Sequence, residues 1–332
     1  MILLLGASGY IGEAFAHALR ERNQSFTPLS RNEVDYTKFD VLLKFLREKK
    51  PTFVINAAGY TGKPNVDACE AAKADTLAGN TLFPEMLAHA CVVEKIPWGH
   101  VSSGCIFSGA KIVGNSSSPS PLGEGRAEGD RGVRIEKDLT KPGLRELPEK
   151  NPSAIHGYTE SDTPNFTFRD GPCSFYSGTK GLAEEAITGV GQSYIWRLRI
   201  PFDEVDNPRN YLSKLQRYAK VYDNVNSISH RADFVNACLA LWERRAPFGT
   251  YNITNPGYVT SHQVVRMIER ILKPARKFEF WKDDAEFYNV AAKTPRSNCV
   301  LDVSKLLATG VKMRPVEEAL EHSLQNWKPE KK

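Results

Sequence analysis

A doubly wound parallel α/β sheet, with a smaller lobe towards the C-terminus, is the fold class this sequence predicts. Two observations lead there. Short apolar runs alternate with amphipathic helical stretches through about the first 200 residues, which is the order βαβ units require. The first apolar run, MILLL, breaks into the glycine-rich GASGYIG and then a helical stretch, the local pattern of a phosphate-binding turn.

The elements follow in order. MILLL reads as a strand. It is too short to span a membrane and lacks the basic leader and small-residue cleavage site of a signal peptide, so nothing is expected ahead of the fold. SFTPLSR is a second short strand. DYTKFDVLLKFLREKK is an amphipathic helix with Asp35 as its expected cap. PTFVINAAG is a buried strand, ADTLAGNTLFPEMLAHACVVEK a helix, and PWGHVSSGCIF a strand again. A segment at about 110–154, containing GNSSSPSPLGEGRAEGDRG, breaks the alternation. It has too little to bury to offset its ordering entropy, and is expected as a mobile surface insertion. A helix is expected from about Phe175, and QSYIWRLRIP is the next strand. Beyond it, NPRNYLSKLQRYAKVY and SISHRADFVNACLALWER read as helices and GTYNITNP as a strand. TSHQVVRMIERIL opens on a Ser/Thr cap, and PVEEALEHSLQNW closes the chain as a helix with Pro315 in its first turn. Residues 1–200 are expected to form a Rossmann-type dinucleotide domain. Residues 201–330 are expected mainly as a substrate lobe, with the option of returning one strand to the sheet.

Composition narrows the function classes. The chain has 332 residues and a formal charge of +5. It has no basic run with interleaved aromatics, so nucleic acid is not an expected partner, and neither is a membrane. Six cysteines are scattered without a C-x-x-C pair, which argues against structural zinc and disulfides and suits a cytoplasmic protein. The seven histidines show no metal-ligand spacing; no metal is expected, and His230 in SHRAD reads as a helix-start contact.

The chemistry-bearing residues begin with the glycine turn. Gly6, Gly9 and Gly12 permit a tight turn and close approach of a pyrophosphate, and the helix start supplies N–H groups. Gly6, Ser8, Gly9, Tyr10, Ile11 and Gly12 are the candidate cofactor contacts here. The G-x-x-G-x-x-G spacing resembles the short-chain dehydrogenase/reductase superfamily. At the end of the second strand, LSRN offers Ser30 and Arg31 to a 2′-phosphate, with no carboxylate in that stretch to hold a ribose 2′-hydroxyl; NADP(H) is expected over NAD. Asn56, Ala57 and Ala58 end the third strand with small groups over which a ribose could lie, and Asn80 is placed on the next helix as a buttress.

FYSGTK sets Tyr176 and Lys180 four residues apart, on one face of a helix. A phenol titrates at about 10 and needs a nearby cation to exchange protons near neutrality. Lys180 can supply that charge and hold the nicotinamide ribose. Ser103 can hydrogen-bond a carbonyl or its developing alkoxide. Ser, Tyr and Lys in this order are the superfamily's catalytic set. Read alone, Cys105 stays open between a small core residue and a catalytic thiol.

The stretches GYTGKPNVDACE, GCIF, ESDTPNF, SFYSGTK, NPRNYLSKLQRY, YNITNPG and PRSN together resemble one family. It is the bifunctional nucleotide-sugar 3,5-epimerase/4-reductases of plant UDP-L-rhamnose synthesis, related to dTDP-4-dehydrorhamnose reductases among the extended short-chain enzymes. The similarity covers nearly the whole chain, the insertion excepted. It implies a nucleoside-diphosphate 4-keto-6-deoxyglucose as substrate, linked to UDP or dTDP, and NADPH as reductant. It also implies that Cys105 and Lys214 are the acid–base pair that inverts C3 and C5. Thr61, Gly62, Asn65, Asn210 and Arg296 fall at positions suited to the sugar or its phosphates, Arg296 as a guanidinium for the diphosphate. A single-function 4-reductase and a non-catalytic regulatory protein of the same fold are the alternatives. A homodimer stays open.

Overall fold

The computed structural model describes residues 1–63, 65–112 and 155–329. Most of the expected insertion, residues 113–154, lies outside them. Six strands form one sheet: β1 (Ile2–Leu5), β2 (Phe26–Leu29), β3 (Phe53–Asn56), β4 (Trp98–Ser103), β5 (Ser193–Leu198) and β6 (Gly249–Asn252). Every pairing is parallel, and the spatial order is β2-β1-β3-β4-β5-β6. The fold is of the Rossmann type. The order reverses between β1 and β3, which opens a crevice at their carboxyl ends, where ligands bind in such sheets.

The helices used below are α1 (Tyr10–Glu21), α2 (Phe39–Lys49), α3 (Phe83–Val93), α4 (Phe175–Ile187), α5 (Tyr211–Arg217), α6 (Arg231–Glu243), α7 (Ser261–Leu272) and α8 (Val316–Gln325). Side chains alternate across a strand, and the core divides accordingly. Ile2, Leu4, Phe53 and Ile55 point to one face, where Phe15 and Leu19 of α1 meet Phe234 and Leu241 of α6. Leu3, Leu5 and Val54 point to the other, against Leu42 and Leu46 of α2 and Leu87 and Cys91 of α3. Because both faces are covered, β1 and β3 are buried at every residue and read in the sequence as unbroken apolar runs.

Residues 231–252 return to this sheet layer as α6 and β6. A separate core sits among α5, α7 and α8, built from Phe202, Leu215, Val264, Ile268, Leu320 and their neighbours. α7 starts on a capping box between Thr260 and Gln263. His230 caps α6 by accepting the Asp233 N–H at 3.3 Å. Asp35 does not cap α2: the helix begins at Phe39, with Lys38 before it. The Asp35 carboxylate instead takes the Thr37 hydroxyl at 2.5 Å, because an Asp bonds most readily to groups two residues on. Among the described residues, no helix is long and apolar enough to cross a membrane.

Candidate active site

The glycine turn sits at the switch point. Gly6 adopts φ +75°, and a Cβ there would lie 2.5 Å from the backbone nitrogen of Ala58 at the end of β3. A Cβ on Gly12 would lie 1.9 Å from the Gly6 carbonyl oxygen. Neither position tolerates a side chain, so turn, helix and neighbouring strand close into a cradle of bare backbone. Gly9 caps α1 with no side-chain acceptor, which leaves first-turn N–H groups for an anion. Ser8 and Gly9 are exposed. These features fit a dinucleotide pyrophosphate.

Other expected cofactor residues are placed less directly. The Asn56 side chain is fully buried. Its Nδ2 meets His100 Nδ1 at 3.1 Å and its Oδ1 accepts the Ala58 N–H at 3.0 Å. It therefore shapes the strand end and does not reach the crevice; Ala57 and Ala58 present backbone there. The side chain of Tyr10 turns towards the C-terminal half. The Arg231 guanidinium lies over its ring at 4.4 Å, and burial, with Asp203 beside it, pushes its hydroxyl far up. Ile11 packs against the core. Ser30 and Arg31 are exposed. Contrary to the reading of LSRN, a carboxylate does stand at this turn: Glu33 folds back to accept the Ser30 N–H at 3.1 Å. Asn80, in a π-helical turn, accepts the Tyr60 N–H and donates to the Tyr60 carbonyl, both at 2.8 Å. It fixes the loop after β3, a use to which such bulges are often put.

The next cluster forms where β4 ends against α4. Ser174 caps α4 by accepting the Ser177 N–H, which puts Tyr176 and Lys180 on the turns facing the strand. Cys105 does not continue the strand: Gly104–Ile106 is a 3-10 turn, and Ser103 Oγ accepts the Cys105 N–H at 3.2 Å. Burial pushes the Cys105 thiol up, while Ser103, Ser177, Arg199 and Lys180 pull it down. Burial likewise pushes the Tyr176 phenol well up, opposed by a hydrogen bond with Ser103 and by the charge of Arg199. Lys180 is buried, donates to the Val101 carbonyl at 3.1 Å, and is pulled down by that burial. The structure thus gathers Ser103, Cys105, Tyr176 and Lys180. A phenol so placed stays protonated and can act as an acid beside a serine hydroxyl.

Lys214 lies half-buried on α5. Burial and the Arg209 charge pull its amine down, a shift that favours a proton-accepting amine. No contact joins it to Cys105 among the described residues. Asn210 is fully buried and occupied: its Nδ2 donates to Asp203 and Val205, and its Oδ1 caps α5 through the Leu212 N–H. It positions α5 and has no free group for a sugar. The Thr61 hydroxyl accepts from Arg209. Gly62 turns the loop at φ +70°, and Asn65 accepts the Asp67 N–H at 2.9 Å. Arg296 is forked onto Asp67, at 2.6 and 2.7 Å.

Residues 1–137 match the family described as the RmlD substrate binding domain. The chain is 28% identical over 319 residues to a bifunctional dTDP-4-dehydrorhamnose 3,5-epimerase/dTDP-4-dehydrorhamnose reductase of Arabidopsis thaliana, spanning 96% of this chain and 90% of that one. It is 30% identical over 280 residues to a trifunctional UDP-glucose 4,6-dehydratase/3,5-epimerase/reductase of the same plant, spanning 84% of this chain but 35% of that protein. Among solved structures, the L780 UDP-rhamnose synthase of Acanthamoeba polyphaga mimivirus shares the fold with a TM-score of 0.76, at 22% identity and 98% coverage of both chains. A dTDP-4-dehydrorhamnose reductase of Bacillus anthracis in complex with NADP does so at 0.71, with 16% identity and 98% and 97% coverage.

The chain is similar to the extended short-chain dehydrogenases/reductases.

Within that family's Ser, Tyr and Lys, the sequence reading missed the arginine that stands beside them. It expected Lys180 to be the cation beside Tyr176; the charge of Arg199 also opposes the upward push of burial on that phenol. The signal was present in WRLRIP, where two arginines interrupt an otherwise apolar strand. Charges in such a strand are buried only for a reason. Arg197 is explained by a buried ion pair with Glu184. Among the described residues, Arg199 has no such partner.

Proposed function

We propose that this extended short-chain enzyme epimerises C3 and C5 of a nucleoside-diphosphate 4-keto-6-deoxyglucose and reduces its C4 ketone with NADPH, giving the nucleotide-linked L-rhamnose. The observation that carries this reading is the meeting of Cys105 with Ser103, Tyr176 and Lys180 in one cluster, with Cys105 and Lys180 buried. Reduction needs the last three; a thiol beside them supplies a group that reduction does not need. Similarity to the plant bifunctional relative over most of both chains supports it.

The roles follow from the side chains. The 4-ketone acidifies the protons at C3 and C5. Cys105 and Lys214 act as base and acid at these centres: one removes a carbon-bound proton, the bonding pair moves towards the carbonyl as an enolate, and the other returns a proton to the opposite face. Ser103 hydrogen-bonds the carbonyl oxygen. NADPH, when bound, supplies hydride to C4. Tyr176 gives its proton to the oxygen, and Lys180 holds the ribose beside it. Gly6, Ser8, Gly9 and Gly12 hold the pyrophosphate through backbone, and Ser30 and Arg31 meet the 2′-phosphate, for which Glu33 must swing aside. Arg296 meets the diphosphate. The protein works in the cytoplasm.

Proton NMR in deuterated water tests this, first with UDP-4-keto-6-deoxyglucose and then with the dTDP sugar. Deuterium entry at C3 and C5 before NADPH is added, followed by a rhamnose product after it, is the expected result. Reduction without deuterium entry would leave a plain 4-reductase. That second reading draws on one observation: the thiol of Cys105 is buried and, among the described residues, no contact joins it to Lys214.

A further inference from the structure

Arg199 stands one residue beyond β5 and is buried. Two residues earlier, the equally buried Arg197 is forked onto Glu184, at 3.0 and 2.8 Å. Among the described residues, no carboxylate reaches Arg199. Its Nη2 donates to Asn226 Oδ1 at 2.6 Å and to the Ser297 carbonyl, and its Nε is buried without an acceptor. A guanidinium stays charged in a protein, and burying a charge without a counter-charge is unfavourable. The backbone adds strain: Ile200, the next residue, has φ +38°, in the left-handed region that β-branched side chains avoid. A lone buried charge beside a strained residue is a combination found where function retains it.

The surroundings of the charge indicate what it acts on. A Cβ on Gly104 would lie 3.5 Å from Arg199 Cδ, so the arginine stem passes the turn that carries Cys105. Asn226 Oδ1, which holds Arg199, also accepts the Cys299 N–H at 3.1 Å, and Cys299 Sγ donates to the Gly104 carbonyl at 3.2 Å. Asn226, Arg199, Cys299 and the Gly104–Cys105 turn are therefore one packed unit. The groups facing Cys105 are Ser103, Ser177, Arg199 and Lys180, with Tyr176, Cys69, Cys173 and Cys299. Two of these are cations, and Lys180 already donates to Val101.

We propose that Arg199 is a positioning cation for Cys105, easing the ionisation of that thiol as it takes a proton from carbon. The use of the thiol rests on the epimerase reading above; the charge relationship does not. Burial alone would keep Cys105 protonated, and Arg199 opposes this from a fixed position.

The test is an NMR titration of the full chain labelled with 13Cβ-cysteine, with the Cys105 signal assigned from Cys105→Ser. This readout does not need a reagent to enter the site. Arg199→Gln is expected to raise the titration midpoint of Cys105 by about one pH unit, a roughly tenfold loss of thiolate at fixed pH below it. Arg199→Lys keeps the charge and is expected to stay close to the native midpoint. Asn226→Asp preserves both accepted hydrogen bonds but sets a carboxylate on the guanidinium, and is expected to raise the midpoint as well. If Arg199→Gln does not fold, the contrast between Asn226→Asp and Arg199→Lys decides. An unchanged midpoint in Asn226→Asp, with Arg199→Gln also unchanged where it folds, overturns the proposal. Absence of C3 and C5 exchange in the native protein would count against the epimerase reading and leave the titration readable.

Discussion

Asp67 takes both terminal nitrogens of Arg296, at 2.6 and 2.7 Å, across 229 residues of chain. Thr294 joins them, donating to the same carboxylate at 2.7 Å. The loop that follows β3 is thereby tied to the segment expected to meet the diphosphate. A diphosphate that recruits Arg296 must compete with Asp67 or share its guanidinium. Asp67→Asn is therefore expected to bind UDP more tightly than the native protein, and Arg296→Gln about tenfold more weakly, ~1.4 kcal/mol. Calorimetric titration with UDP reads both. Unchanged affinity in Arg296→Gln would remove it from the substrate site.

The same pair makes stability depend on pH. Although burial pushes the Asp67 carboxyl up, the bonds from Arg296 and Thr294 outweigh it and hold the group below its ordinary value. A carboxylate lowered in the folded state stabilises the fold above its unfolded value of about 3.9. That contribution is lost as pH falls through the lower folded value. Thermal melts of the native protein between pH 6 and 3 should therefore drop more steeply than those of Asp67→Asn, which starts lower and lacks this acid-sensitive part.

Reduction and epimerisation should separate by mutation, because they use different side chains of one cluster. Tyr176→Phe is expected to lower the reduction rate by about 100- to 10,000-fold while deuterium still enters C3 and C5. Cys105→Ala is expected to lose that entry yet reduce a substrate already epimerised. Loss of both activities in both folded variants would show that the division of roles is wrong.

Gly12→Ala tests the cradle. Its new Cβ meets the Gly6 carbonyl oxygen at 1.9 Å, a backbone atom that cannot move without opening the turn. The expected cost is about 1–3 kcal/mol in stability, measured by urea unfolding, together with loss of the fluorescence change on NADPH binding. Native NADPH affinity in this variant would place the cofactor elsewhere.

The layered sheet, the glycine turn and the Tyr176–Lys180 face were legible in the sequence because each is encoded locally. A period of two or 3.6, a turn that excludes Cβ, or a four-residue spacing needs no knowledge of distant partners. What the chain could not reveal was how its polar side chains divide between structure and site. Asn56 and Asn210 look available as residues but are turned inward to satisfy backbone and neighbouring groups. Glu33 lies outside LSRN yet folds onto Ser30. Arg296 finds Asp67, and Arg197 finds Glu184 while Arg199 is left beside Cys105. Local pattern determined the framework. Tertiary packing decided which charges are neutralised, because a buried polar group must find its partner wherever the fold brings one within hydrogen-bond distance.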